Sequence, residues 1–291
     1  MMIFGHRFRF EELSEELWTT AFGLLGIFGV TALSLLSGCA YPLSDTSFQA
    51  GVPPIRGEAK VLLLSGSGTW PAEISSLEKI LKEHGIQSRQ ATSQQLENLD
   101  LDSLTSYSLL VVPGGNAITL TAELSQRTRL NVRTAVRERG MSYLGFCAGA
   151  WMAISPGGTP TEAPSYGFGL IDGPLQQEAA YQRSGSPYTI AEAIFPGGAK
   201  RSLLWWGGPI TPEGDGTVIA RYPDGGAAIS QIAVGQGWAV LSGLHPAATP
   251  EVFEALGLDP ATPSSLDYAW TLLQSALTKT ALPTVPFTEA L

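Results

Sequence analysis

From Ser142 to Trp151 the chain is an apolar run that reads as a short buried strand turning at once into a helix of small residues, with the turn on Cys147. Glycines stand two positions to either side, Gly145 and Gly149. That spacing has the form of a nucleophile elbow, in which the reactive residue occupies a strained strand-to-helix turn and its neighbours stay small so that helix and strands can close together. A thiol on such a turn projects from the C-terminal edge of a sheet. It also lies at a helix N-terminus, where the positive dipole end and free N–H groups favour thiolate over thiol. A free cysteine is otherwise most often a buried small hydrophobe, but plain burial does not explain the paired glycines.

An elbow strand needs a sheet around it. Lys60 to Ser65 is a continuous apolar run suited to a parallel strand covered on both faces. Pro71 to Glu83 follows with helical spacing of Ile74, Leu77, Ile80 and Leu81, and Gly85 ends it. Ile86 to Ala91 reads as the second strand, Gln94 to Leu104 as a polar connection with a helical turn, and Ser108 to Val112 as the third strand. Leu120 to Gly140 reads as one long amphipathic helix with arginines on its exposed side. This alternation of strand and helix predicts a doubly wound α/β sheet with a mostly parallel core. Ser155 to Lys200, dense in glycine and proline, reads as a cover over the sheet edge. Ser202–Trp206, Thr217–Tyr222, Ala227–Ala233 and Gly237–Ser242 read as hairpin strands added to the edge, Glu251–Leu256 and Ser265–Lys279 as closing helices, and 281–291 as a frayed tail.

Two strand ends add chemistry to the elbow. The third strand stops at Pro113-Gly114-Gly115, where backbone N–H groups can face a site without side chains in the way, as an oxyanion hole requires. Taken alone, such a loop is more often a plain turn. The last strand stops at Gly243-Leu244-His245-Pro246. Of the three histidines only His245 has such a place, since His6 lies near the start of the chain and His84 near the end of a surface helix. Tyr166, Phe168, Tyr181, Trp205 and Trp206 are either an apolar wall for a substrate or ordinary core.

The net charge of −9 and a pI near 4.9, with no basic stripe, exclude a nucleic-acid footprint. The N-terminus points to the membrane instead. Leu17 to Ser37 carries no charge and is long enough to span a bilayer, and it ends in Leu36-Ser37-Gly38-Cys39. This resembles the lipobox of bacterial lipoproteins, in which the cysteine is lipidated and becomes the new N-terminus. An uncleaved signal anchor is the alternative. Either way Arg7 and Arg9 stay in the cytoplasm and the domain is exported, giving a lipid-anchored protein of the cell envelope. The expected organisation is a signal segment over 1–38, a flexible tether over 39–58, one domain over 59–280 and a tail over 281–291.

In the order Pro113-Gly114-Gly115, Gly145-Phe146-Cys147-Ala148-Gly149-Ala150, Trp205-Trp206-Gly207-Gly208 and Gly243-Leu244-His245-Pro246, the chain resembles the class I glutamine amidotransferase-like superfamily. Within it the resemblance is to the N-terminal domain of biotin-protein ligases, in its stand-alone bacterial form. The resemblance implies a flavodoxin-like three-layer sandwich with added antiparallel edge strands, Cys147 as nucleophile, His245 as its base, and an oxyanion hole from Gly114 or Gly115 with the N–H of Ala148. Amidotransferases typically carry His-Pro-Glu, and here the third residue is Ala247. The orienting acid is therefore missing from its usual place, with Glu251, one helical turn on, as a substitute and a Cys–His dyad as the simpler expectation.

Biotin transfer is not expected, because nothing after His245 corresponds to the catalytic half of a ligase. Two functions remain open. One is a Cys–His hydrolase or amidotransferase-like protein acting on a small amide or ester, without cofactor or metal. The other is a degenerate lipoprotein that binds a small ligand or serves as a scaffold. A carboxylate beside the His245 imidazole would favour the enzyme.

Overall fold

The computed structural model describes residues 60–158, 165–177, 186–259, 261–262 and 264–286. The signal segment, the tether, Cys39 and Tyr181 lie outside the described residues. No helix among those described is long and apolar enough to cross a membrane.

The chain is mixed α/β, built on one nine-stranded sheet in the order β2-β1-β3-β4-β11-β10-β9-β7-β8. Strands β1 (Val61–Ser65), β2 (Ser88–Thr92), β3 (Leu109–Val112), β4 (Ser142–Phe146) and β11 (Gly237–Ser242) run parallel. Every residue of β1, β3 and β4 is buried, as continuous apolar runs in a two-sided sheet demand. Alternate residues serve two apolar clusters. Val61, Leu63, Val111 and Leu144 pack with helices α1 (Pro71–Glu83) and α8 (Leu266–Thr278). Leu62, Leu64, Leu110 and Tyr143 pack with α5 (Gln126–Arg137) and α6 (Ala148–Ala153).

The remaining strands, β10 (Ala227–Val234), β9 (Val218–Arg221), β7 (Thr189–Ile194) and β8 (Lys200–Trp205), are antiparallel to their neighbours. This half curls back toward the parallel one. Leu204 on β8 forms an isolated antiparallel bridge with His245 beyond β11, where the His245 N–H donates to the Leu204 carbonyl at 2.8 Å.

Several expectations need correction. Gly237–Ser242 is not an edge strand: Ala239 to Ser242 pair in parallel with Tyr143 to Phe146, which places β11 in the middle of the sheet. The expected helix over Leu120–Gly140 is two helices, α4 (Ala117–Ala122) and α5. Asn116 caps α4 through its side chain, and Ser125 accepts from the Thr128 N–H to start α5. Arg133 on α5 is buried rather than exposed. The polar connection holds two short helices, α2 (Ser93–Glu97) and α3 (Leu101–Thr105), the first opened by a Thr92–Gln95 capping box. In the cover, β5 (Ile154–Ser155) pairs with β6 (Ile171–Asp172), whereas β7 belongs to the main sheet. The last helix but one, α7, spans Pro250–Ala255.

The start of the tail is docked. Gln231 donates to the Leu282 carbonyl at 2.8 Å and accepts from the Leu282 N–H at 2.7 Å, and Val285 N–H donates to the Val218 carbonyl at 2.8 Å. A side-chain amide presents the donor and acceptor of a peptide group, so Gln231 acts as one rung of a missing strand.

Candidate active site

Cys147 sits between β4 and α6 with φ 45° and ψ −99°, a conformation rare for any residue with a side chain. Its surroundings hold it there. The Cys147 N–H donates to the Ser242 carbonyl at 2.7 Å, and Tyr143 Oη donates to the Gly149 carbonyl at 2.7 Å. A Cβ on Gly149 would lie 2.1 Å from the Val112 carbonyl oxygen, and one on Gly145 would lie 2.5 Å from the Gly149 carbonyl carbon. Both glycines thus permit the close helix–sheet approach that the elbow spacing implies.

The parallel strands deliver the rest of the site to the same edge. His245 follows β11, the neighbour of β4, and its ring is almost wholly buried. Its Nδ1 lies 3.0 Å from Glu73 Oε1. Glu73 stands in the first turn of α1 and is itself buried, at 1% exposure. Its second oxygen, Oε2, accepts from the Gly114 N–H at 2.5 Å. Gly114 is glycine for a local reason, because a Cβ there would lie 2.3 Å from His245 Cε1. Gly115, at φ 150°, packs against the Gly68 carbonyl, which a Cβ would reach at 1.9 Å.

Burial alone would pull the His245 pKa down. The Glu73 carboxylate, and after it the sulfur of Cys147, outweigh that and raise it from 6.5 to about 10, so the ring is an imidazolium at neutral pH. Nε2 is buried and makes no hydrogen bond of ordinary geometry among the described residues, although the Cys147 sulfur acts on the ring. Cys147 Sγ points at the Trp206 carbonyl, 3.2 Å away. Burial, followed by the Cys147 sulfur, pushes the Tyr166 phenol well up.

Aromatic rings continue outward in edge-to-face contacts. Trp70 meets His245 with centroids 5.0 Å apart and Trp206 at 5.5 Å, and Trp206 meets Tyr188 at 5.4 Å. Of the expected wall residues, Trp206 belongs to the site, and Tyr166 is electrostatically linked to Cys147. Phe168 packs on Tyr143 in the core, and Trp205 is core as well, its Nε1–H donating to the Gly208 carbonyl at 3.1 Å.

The structure thus brings Cys147, His245, Gly114, Gly115 and the N-terminal N–H of Ala148 to one sheet edge. Glu251 is not among them. It is exposed in the first turn of α7, and its carboxyl is held low chiefly by the Thr249 side chain. The imidazole's carboxylate is instead Glu73, 172 positions from His245 in sequence. In sequence Glu73 reads as an ordinary first-turn acid complementing a helix dipole. One signal does point to it: α1 leaves the C-terminal end of β1, so its first turn lies on the same edge as Cys147. With Gly114 N–H engaged by Glu73, the donors left at the elbow are the N–H groups of Gly115 and Ala148. Among the described residues no three His, Cys, Asp or Glu side chains cluster closely enough to hold a metal ion.

Residues 59–156 match the family model described as biotin-protein ligase, N terminal, about a third of the chain. No curated protein matches the sequence. Solved structures with similarity include Gan42B, a GH42 beta-galactosidase, at 14% identity and a TM-score of 0.43, covering 79% of this chain and 31% of that one. The cytoplasmic protein STM3548 from Salmonella typhimurium has 12% identity and a TM-score of 0.44, covering 74% of this chain and 98% of its own. The cytoplasmic protein STM1381 from Salmonella typhimurium LT2 has 11% identity and a TM-score of 0.39, covering 76% and 99%. The chain therefore spans less than a third of the beta-galactosidase. The match runs from before β1 to just beyond the elbow helix, so it takes in the Gly114-Gly115 loop and Cys147 but not His245.

Proposed function

We propose that the chain is a cysteine-nucleophile hydrolase or amidotransferase-like protein whose triad is Cys147, His245 and Glu73, acting on a small amide or ester. The observation that carries this is the buried Glu73–His245 contact of 3.0 Å, because it supplies the orienting carboxylate that Ala247 lacks. It also removes the main motive for a degenerate, binding-only protein.

The chemistry follows from the charges. The imidazolium gives the sulfur a counter-charge, and Sγ adds to the substrate carbonyl carbon while the oxyanion is held by the Gly115 and Ala148 N–H groups. The bond to the leaving group breaks as Nε2–H hands its proton to the departing nitrogen or oxygen. Water then cleaves the thioester, and its proton returns to Nε2 as the acid leaves and the thiolate is restored. Glu73 keeps Nδ1–H fixed throughout, which holds Nε2 toward the sulfur. A flavodoxin-like three-layer sandwich is part of the same reading, supported by the strand order β2-β1-β3-β4-β11 and the apolar clusters on both sheet faces.

Turnover of a panel of thioesters, esters and amides tests this. Wild type should hydrolyse at least one class, with the activity lost in Cys147→Ser. An inactive wild type across the whole panel would sink the proposal.

The proposal also places the domain outside the cytoplasm, tethered at Cys39, on the strength of the uncharged stretch Leu17–Ser37 and the Leu36-Ser37-Gly38-Cys39 motif. Wild type should migrate as a shortened, fatty-acid-labelled species and Cys39→Ala as a full-length precursor. A wild type that keeps its first methionine and takes up no label would establish an uncleaved anchor.

A further inference from the structure

The first turn of α1 is capped from another part of the chain. A glutamate at the third helical position ordinarily reaches back to the N–H of the residue just before the helix. Here that residue is Trp70, whose N–H donates instead to the Gly114 carbonyl at 2.8 Å, while Glu73 Oε2 accepts from the Gly114 N–H at 2.5 Å. Both polar groups of Gly114 are thus bound to one helical turn. Gly115 is held by the same zipper, since it forms an isolated antiparallel bridge with Thr69, closed by the Trp70–Gly114 bond and by the Asn116 N–H donating to the Gly68 carbonyl at 2.7 Å. In a bridge closed this way the paired residues turn their own N–H and C=O away from each other. The Gly115 N–H therefore faces away from the loop that follows β1, and β4 with its elbow lies on that other side, because β3 stands between β1 and β4.

The second oxygen of the carboxylate, Oε1, is the one 3.0 Å from His245 Nδ1. Glu73 is only 1% exposed, so its charge is held by the donors around it, and shifting either one leaves a buried charge short of partners. The three groups also touch: a Cβ on Gly114 would lie 2.3 Å from His245 Cε1 and 3.0 Å from Glu73 Oε2. Resting on the thiol chemistry proposed above, we propose that Glu73 has a second positioning role, in which the carboxylate that orients the imidazole also clamps the Gly114-Gly115 loop and so sets the oxyanion donor. A donor fixed before the reaction stabilises the charge that grows on the substrate oxygen without having to reorganise. One side chain then aligns base and oxyanion hole together.

Hydrogen exchange on the intact chain reads the clamp, with the Gly114 amide resolved by fragmenting the peptide that carries it. Glu73→Met fills the same volume without an acceptor, and Glu73→Gln keeps one. The glutamine oxygen should stay on the Gly114 N–H, because the imidazole can change tautomer to accept from the new amide NH₂, whereas a peptide N–H can only donate. Gly114 should therefore exchange about tenfold faster or more in Glu73→Met than in wild type, and close to the wild-type rate in Glu73→Gln. Equal exchange in wild type and Glu73→Met overturns the inference. Should Glu73→Met fail to melt cooperatively, Glu73→Ala takes its place.

Turnover tells whether the clamped loop serves the oxyanion. Both variants lose the carboxylate of the imidazole, so a role through His245 alone gives them the same kcat. With the donor misplaced as well, kcat of Glu73→Met should lie a further tenfold or more below that of Glu73→Gln, roughly, with KM little changed. Equal kcat values overturn the inference. A wild type that turns over nothing sinks the thiol reading and leaves the clamp to be decided by the exchange rates, which need no chemistry.

Discussion

The parallel strands β2-β1-β3-β4-β11 and the antiparallel strands β10-β9-β7-β8 share one sheet but meet the candidate site differently. From the parallel half come Cys147, His245, Glu73 and the Gly114-Gly115 loop, all at strand ends or in a first helical turn on one edge. From the antiparallel half come the Trp206 carbonyl against the sulfur, the Tyr188 ring packed on Trp206, and the bridge from Leu204 to His245. Reactive groups are thus fixed by one set of strands and their approach by another. Substitutions in the two halves should therefore separate rate from access.

The largest effect is expected at the carboxylates. Glu73→Gln, in the parallel half, should lower kcat/KM by roughly 10³-fold or more, since it removes the group that fixes the imidazole tautomer. Glu251→Gln should leave kcat/KM unchanged. Equal losses in the two variants would break the assignment of the triad.

Glycine-to-alanine changes come next. Gly149→Ala drives a methyl to within 2.1 Å of the Val112 carbonyl in the two-sided core, and Gly208→Ala drives one to within 1.8 Å of the Gly243 carbonyl just beyond β11. Each should cost about 1–3 kcal/mol, read as a lower thermal midpoint. Only Gly208→Ala should also shift the rate at which iodoacetamide alkylates Cys147. If Gly149→Ala moves that rate and Gly208→Ala does not, access is not set by the antiparallel half.

Stability against pH sharpens the comparison further. The folded-state pKa of His245 is raised to about 10 against 6.5 in the unfolded chain, so its contribution is complete below pH 6.5 and is lost as pH rises through about 10. Denaturant midpoints of wild type should therefore fall between pH 7 and 10 more steeply than those of His245→Gln. Parallel slopes would show that the imidazolium adds nothing to folding.

The smallest effect is at the docked tail. Gln231→Leu removes both bonds to Leu282 and should cost about 1 kcal/mol, a midpoint drop of roughly 2–4 °C. Limited proteolysis should then cut near Leu282 first, with turnover unaffected.

The sequence speaks clearly about the parallel half because its signals are local. Val61–Ser65, Leu109–Val112 and Ser142–Phe146 are apolar without interruption, and the Gly145 and Gly149 pair announces the elbow within five residues. Glu73 is silent because its role depends on a partner 172 positions away. The same holds for β11. Its apolar run is visible, yet its parallel register beside β4 is a long-range choice that no local pattern encodes. Leu120 to Gly140 misleads in another way: apolar spacing runs through the break, and only the Ser125 cap marks where a second helix starts.

The bond between β4 and β11 has a consequence for how the molecule comes into being. During synthesis the family segment 59–156 emerges with β4 at an open edge, its Tyr143–Phe146 backbone without the partner it will have in the finished sheet. Some eighty residues must follow before that partner exists, and closing so long a loop is slow compared with forming local hairpins. The β10–β11 hairpin can form early and dock as a unit, bringing His245 to Cys147 in the step that seals the edge. Gain of the reactive pair and loss of an aggregation-prone edge are then one event. In pulse-labelled hydrogen exchange, the amides of Tyr143–Phe146 and Ala239–Ser242 should become protected together, and late.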